Sequence, residues 1–397
     1  MRVVRIATVC LLALLVAAPA SAQSDRKMNW RMTHDHVDFS VRMDGEVEFA
    51  SDYRSVTRMS RDAYLRIRKE ERRRDWRLDV EREGSTIVYD FRRNGDRIPA
   101  AQATEEIGDL ILWVVRETGI DAERRVRQLL ADGGADLVFD EIEIIQSSSS
   151  SRRYLQHLVN LGDLEESELV RAAVLAEDEI PSSGDRARFL INTVDHFAGH
   201  VRAEAAWSKT AGSVPSSGDR ARTLMAGLEA ELDATHILTA AKSIPSSGDK
   251  SRVLLRAIGK EMAPADMVLL LQAATSVSSS GDRSRVLIAA APHMAAEEAS
   301  RAAYFEAARG IPSSGDRARV LLAVIENVEL DQPSWLALFQ ATTSISSSGD
   351  KARVLMRAVP FVEGERMEEA FLEAAESIPS SGDRTRVLTA LVRGAQP

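Results

Sequence analysis

The chain has 397 residues, of which 44% are hydrophobic and 28% charged, and its formal net charge is −9. That composition excludes a disordered chain. Residues 101–397 carry a net −13 against +2 for residues 23–100, and an acidic repeat region excludes general nucleic-acid binding, which needs a basic footprint.

In chain order, residues 1–22 read as a secretory signal. Arg2 and Arg5 precede an apolar run from Ile6 to Ala18, and Ala20-Ser21-Ala22 is a small-x-small cleavage pattern. The expected product is exported, periplasmic or extracellular, and begins at Gln23. No later segment approaches a spanning length, so no membrane insertion is expected after cleavage. Cys10, the only cysteine, lies inside this signal, so the mature chain would have no disulfide and no thiolate chemistry.

Residues 23–35 are polar and are expected to be a flexible N-terminus. Residues 36–97 alternate as strands do. Phe39–Met43, Tyr64–Arg68, Trp76–Val80 and Thr86–Phe91 each present one apolar face, and Asp44-Gly45, Glu83-Gly84 and Asn94-Gly95 supply turns. This predicts an antiparallel β-meander of five or six strands. Residues 98–145 turn helical, with Ile107, Leu110, Ile111, Val114 and Val115 on one face and breaks at Gly119 and Gly133-Gly134. These are expected to be bridging helices.

Residues 146–397 repeat the phrase Ser-Ser-Gly-Asp-Arg/Lys-x-Arg seven times, with glycines at 184, 218, 248, 281, 315, 349 and 382. An eighth, decayed copy runs from Ser147 to Leu155. A period near 34 residues marks stacked repeats. The predicted fold is therefore mainly α, a right-handed α-solenoid of about eight helical hairpins preceded by a small antiparallel β domain.

Positions can be numbered from each glycine. Positions −11, −8, −7 and −4 form an i, i+3, i+4, i+7 stripe, for example Tyr304, Ala307, Ala308 and Ile311, and predict a first helix. Leucine at +6 and an apolar residue at +10 predict a second. Serine at −2 and aspartate at +1 form a capping-box variant at its start. This capping role outweighs two other readings of the loops. An anion site would be repelled by the aspartate, and a calcium cage needs more carboxylates.

The +2 position takes Arg or Lys, which suggests a solvated charge. The +4 position is always Arg, which suggests a planar, multi-donor contact. This predicts an Asp–Arg ladder linking each loop to the next repeat. Its rungs would be Asp185 with Arg188, Asp219 with Arg222, Asp249 with Arg252, Asp282 with Arg285, Asp316 with Arg319, Asp350 with Arg353, and Asp383 with Arg386.

Trp207, Tyr304 and Phe371 fall at −11 and belong to the core. Phe305 and Trp335 fall off that position and are expected on a partner surface. His34-Asp35-His36 and the pair His196 and His200, four apart on a predicted helix, could ligate a metal, but neither has a visible third ligand. No metal and no cofactor are expected. The last repeat ends without a polar capping repeat, so self-association through it is one expectation.

The order of Tyr64-Leu65-Arg66-Ile67, the β segment ending at Gly95, Trp113–Ile120, Arg124–Gly134, Arg152-Arg153-Tyr154-Leu155 and the repeats resembles a known arrangement. It is that of the soluble extracytoplasmic tail of antibiotic-sensor-type (bla/mec regulator-like) transmembrane metallopeptidases, and of free-standing exported relatives of that tail. The resemblance spans roughly residues 37–397 and implies the β domain plus helical repeats, but no activity. The chain has neither a zinc-peptidase motif nor the membrane helices of those proteins.

HExxH, GxSxG, a Walker A loop and a GxGxxG after a strand are all missing from the sequence. The expected function is a non-enzymatic exported scaffold that binds a protein or peptide. A sensory or regulatory module of an envelope signalling system is the first alternative, and an enzyme acting on envelope material the second.

Overall fold

The computed structural model describes residues 27–34, 36–260, 262–294 and 298–394. The predicted signal, residues 1–22, lies outside them. The chain divides into two compact units between Asp121 and Ala122.

The first unit is built on a six-stranded antiparallel sheet. Its order is β1 (Lys27–His34), β2 (Val37–Asp44), β5 (Tyr64–Glu71), β6 (Arg74–Glu83), β7 (Thr86–Arg93) and β8 (Asp96–Ile98). A separate hairpin, β3 (Val47–Phe49) with β4 (Val56–Met59), is inserted after β2. Two-residue turns join the later strands, and Asn94 and Gly95 both take positive φ, the conformation a tight hairpin between twisted strands requires. Alternation puts Phe39, Val41, Met43, Leu65, Ile67, Leu78, Val80 and Phe91 on one face. There they pack with Ile107, Leu110, Ile111, Val114 and Val115 of α1 (Thr104–Thr118), which ends at left-handed Gly119.

The segment expected to be a flexible N-terminus is ordered from Lys27. It forms β1, in register with β2 along its full length. Its polar residues alternate with Met28, Trp30 and Met32, which are half-buried, and Trp30 meets Phe39 edge-on at 5.8 Å. Alternation decides strand formation, and mean polarity does not.

The second unit is a two-layer helical array. It opens with α2 (Ala122–Glu143), which is broken at Gly133 and Gly134 as expected. One layer stacks α3 (Ser148–Leu161), α5 (Ser183–Thr193), α7 (Ser217–Glu229), α9 (Ser247–Ile258), α11 (Ser280–Ala290), α13 (Ser314–Asn327), α15 (Ser348–Ala358) and α17 (Ser381–Gly394). The other stacks α4 (Glu166–Glu179), α6 (Val201–Gly212), α8 (Ala234–Ala241), α10 (Pro264–Thr275), α12 (Glu298–Arg309), α14 (Gln332–Thr343) and α16 (Glu365–Glu376). Each helix therefore touches its hairpin partner and the equivalent helices of the neighbouring repeats.

That three-sided environment buries more than the single predicted stripe. Positions −11 and −4 are fully covered, and so are −10, +3 and +5 in most repeats. Phe305 at −10 is 3% exposed, and Trp335, one helical turn before −10, is 6% exposed. The expectation that these two aromatics form a partner surface is therefore corrected. A second stripe, packed between helices of the same layer, takes both. Phe305 lies edge-on to Tyr304, and Trp335 stacks on Phe361 at 5.1 Å. Phe361 is the exposed aromatic of that group.

Candidate binding edge of the helical array

The repeated loops line one edge of the array. In all seven copies the serine at −2 caps the second helix by accepting the backbone N–H of the aspartate at +1, at 3.3–3.4 Å. The serine at −1 has a different job. Its Oγ accepts the backbone N–H of the −2 serine in the following repeat, from Ser148 to Ser182 through Ser348 to Ser380. Ser183 also donates to Asp219 Oδ2 at 2.8 Å. The loops are thus laced together by serines.

The Asp–Arg pairs also form in all seven copies, but each lies within one helix at i, i+3. They do not link repeats, which corrects the predicted ladder. In the decayed copy, which has no aspartate, Arg152 reaches Asp185 of the next repeat at 3.2 Å.

The two basic positions exchange roles relative to expectation. The residue at +2 is the structural one. Arg186, Lys250, Arg283 and Lys351 are only 3–8% exposed. In six copies the +2 side chain donates to the backbone carbonyl at −5 of the next repeat: Arg186 to Ser213, Arg220 to Ser243, Lys250 to Ser276, Arg283 to Gly310, Arg317 to Ser344 and Lys351 to Ser377. The arginines also reach the carbonyl at −4 of their own repeat, for example Arg283 Nε to Val277 at 2.9 Å. These carbonyls lie at the C-terminal ends of the α4–α16 layer of helices, where the helix dipole is negative. Burial pushes the pKa of each of these cations below its ordinary value. Lysine and arginine alternate there because either supplies several donors to carbonyls arranged around one point.

The +4 arginines are 55–62% exposed at the side chain, over aspartates that are 15–26% exposed. Each uses one nitrogen on the aspartate and leaves the rest of its fork toward solvent. The glycine lies one turn earlier on the same helix face. A Cβ at Gly184, Gly218, Gly248, Gly281 or Gly349 would meet nothing within 4 Å, and none of these residues has a positive φ. Between two consecutive copies the edge forms a shallow groove of about 510 Å³, lined by Ser313, Gly315, Asp316, Arg319, Leu322, Asp350 and Arg353.

The aspartates answer to this network. Hydrogen bonds from Ser183 and then Arg222 hold the Asp219 carboxyl below its usual 3.8, and Arg252, followed by Ser217 and Ser246, does the same for Asp249. A depressed carboxylate adds stability above pH 3.8 that is lost as pH falls through its folded value. Ser183→Ala removes a donor to Asp219 and an acceptor for Ser216. It should cost about 1–2 kcal/mol near pH 7 and less at pH 3. Urea midpoints of both proteins at the two pH values check this; an equal deficit at both would show that Asp219 plays no part.

His196 ends a short 3-10 segment and His200 stands just before the next helix, without a side-chain cap bond, with Gly199 at positive φ between them. They do not share a helix, as the spacing had suggested. Of the other histidine group, Asp35 lies outside the described residues. Among the described residues no group of three or more His, Cys, Asp or Glu side chains comes together.

A two-layer helical repeat array with one serine-laced, arginine-studded edge is thus the class this unit defines. No family model matches the chain, and no curated protein and no solved structure matches it either.

Proposed function

We propose that the protein is an exported, non-enzymatic scaffold whose array binds a protein partner along the loop edge. The observation that supports this is a mismatch between what the fold needs and what the repeats keep. Core positions other than the constant leucine at +6 have diverged between copies: −11 is Ala, Trp, Ile, Leu, Tyr, Leu or Phe, and the buried +2 is either Arg or Lys. Glycine at 0 and arginine at +4 are the same in all seven, yet neither is demanded by packing. Alanine would be the better helix former at an uncrowded site, and lysine could make a one-point pair with aspartate. A bare glycine lets another backbone approach closely, and a free guanidinium fork pairs with carboxylates in a way lysine cannot. The partner then presents acidic side chains at the groove between repeats. Export rests on the residue pattern of the first 22 positions. No described helix is long and apolar enough to cross a membrane.

The triple variant Gly218→Ala, Gly248→Ala, Gly281→Ala tests this sharply. Its fold should be as stable as the parent or more so, by up to about 1 kcal/mol per site. Crosslinking in the intact envelope, followed by mass spectrometry, should map a dominant partner to residues beside the loops, and that crosslink should disappear in the triple variant. Undiminished capture by the alanine variant, or crosslinks confined to other faces, would remove the loop edge as the binding surface.

A further inference from the structure

The connections that follow α9 and α11 lie at the opposite ends of those helices from the serine loops. Between them is an open pocket of about 520 Å³ whose lining includes Lys260, Met262, Met267 and His293. Met267, near the start of α10, is only 3% exposed and bounds the pocket on the core side. Met262 precedes α10 and is half-buried against the same core. His293 ends a short 3-10 turn after α11 (Ala291–His293) and is exposed. Two thioethers and one imidazole, from three separate segments, thus face one cavity.

Packing does not call for these methionines. Leu232 stands at +14 in its repeat, as Met262 does, and is buried in the core. At −14, where Met267 stands, other repeats have Glu204, Arg301 and Trp335.

The donor types select an ion. Thioether sulfur is a soft ligand that favours monovalent copper over hard cations, and imidazole serves copper and zinc alike. No carboxylate is among the described residues that line the pocket, whereas the Lys260 ammonium is. A divalent cation would meet that repulsion with no negative charge to offset it, and a singly charged ion is repelled half as strongly. Nowhere do the described residues bring together three or more His, Cys, Asp or Glu side chains, so thioethers are what sets this pocket apart. Three rotatable bonds in each methionine give the sulfurs a wide reach into it.

We infer that Met262, Met267 and His293 form a binding site for monovalent copper. His293 takes the ion from solution at the mouth, and the two thioethers hold it inside. This site lies away from the loop edge of the array and does not depend on it.

The test titrates the full chain with Cu(I), kept reduced by ascorbate, against bicinchoninate as a coloured competitor. Cys10, the only thiol, is replaced by serine in every protein so that it cannot compete. The chain should hold one equivalent of copper, and X-ray absorption at the copper edge should show sulfur and nitrogen neighbours. Met262→Leu, Met267→Leu and His293→Asn should each weaken binding roughly tenfold or more, and the double methionine variant should abolish it. Leucine nearly conserves the volume of methionine, so the thermal unfolding of these variants should stay close to that of the parent. Met356→Leu, which removes an exposed thioether elsewhere, should bind as the parent does. The inference is overturned if no stoichiometric Cu(I) binding is found, or if the double variant binds as tightly as the parent. Zn(II) held as tightly as Cu(I), or a copper spectrum without sulfur neighbours, would overturn it too.

Discussion

Arg283→Met will destabilise the protein by about 3 kcal/mol, whereas Arg319→Ala will change its stability by less than about 0.5 kcal/mol. The two arginines are two positions apart in the repeat numbering, and both are charged. Arg283 is 8% exposed and donates to Val277, Gly310 and Thr275, three carbonyls at the ends of α10 and α12. Methionine fills similar space but leaves those carbonyls without their donor, that of the buried Val277 among them, and it cuts one of the links between successive repeats. Arg319 makes one exposed i, i+3 pair with Asp316. Arg283→Lys separates charge from geometry. Lys250 and Lys351 already do this work elsewhere, Lys351 with three acceptors at 2.9–3.0 Å, so the lysine variant should recover most of the loss. Guanidinium unfolding of the four proteins, followed by circular dichroism, measures this. A loss at Arg319 equal to that at Arg283 would restore the idea that the +4 arginine joins the repeats.

The contrast also shows where sequence reasoning reached and where it stopped. The hairpin repeat was legible because a stripe at −11, −8, −7 and −4 and a leucine at +6 are local, periodic signals that need no knowledge of neighbours. The serine cap was legible for the same reason. Substitution between copies misled at +2. Tolerance of Lys for Arg looks like solvation, but a cation surrounded by backbone carbonyls is equally indifferent to which donor serves it. The cue for burial was available four residues on: +2 and +6 share a helix face, and +6 is always leucine. Phe305 and Trp335 went astray because one apolar stripe was assumed for helices that are packed on three sides. β1 was hidden by polar composition, although Met28, Trp30 and Met32 stand at period two. The serine lacing at −1 joins residues about 33 apart, and no local pattern announces it. The candidate edge became visible only when the open space at the glycines could be set beside their uniformity.

Gly227→Ala will destabilise the protein by about 1–2 kcal/mol, although alanine at Gly218, on the same helix, should not. Helix propensity favours both changes by up to about 1 kcal/mol, so packing decides the sign. At Gly218 a Cβ meets nothing within 4 Å. At Gly227 it would lie 2.7 Å from Cζ3 and 3.0 Å from Cη2 of Trp207, and 2.8 Å from Cδ1 of Ile237. The isoleucine methyl can move, but the indole cannot. Trp207 is fully buried and its Nε1 donates to the Leu190 carbonyl of the preceding repeat at 3.1 Å. Tyr304, at the same −11 position, donates likewise to Leu287 at 2.9 Å. The tryptophan is the oversized member of its row, and the glycine at +9 is its complement. Three other hairpins pair a smaller −11 residue with alanine, Ile237 with Ala257, Leu270 with Ala290 and Leu338 with Ala358, whereas Tyr304 is paired with Val324 and Phe371 with Leu391. Trp207→Leu alone should cost about 3 kcal/mol through the cavity and the lost hydrogen bond. The double variant Trp207→Leu, Gly227→Ala rebuilds the pairing found in those repeats, so its loss should fall below the sum of the singles by about 1 kcal/mol or more. Denaturant titrations of the full cycle give the coupling directly. Strict additivity, or a gain from Gly227→Ala alone, would mean that the hairpin relaxes around the indole and that the fit between −11 and +9 does not set the sequence of this repeat.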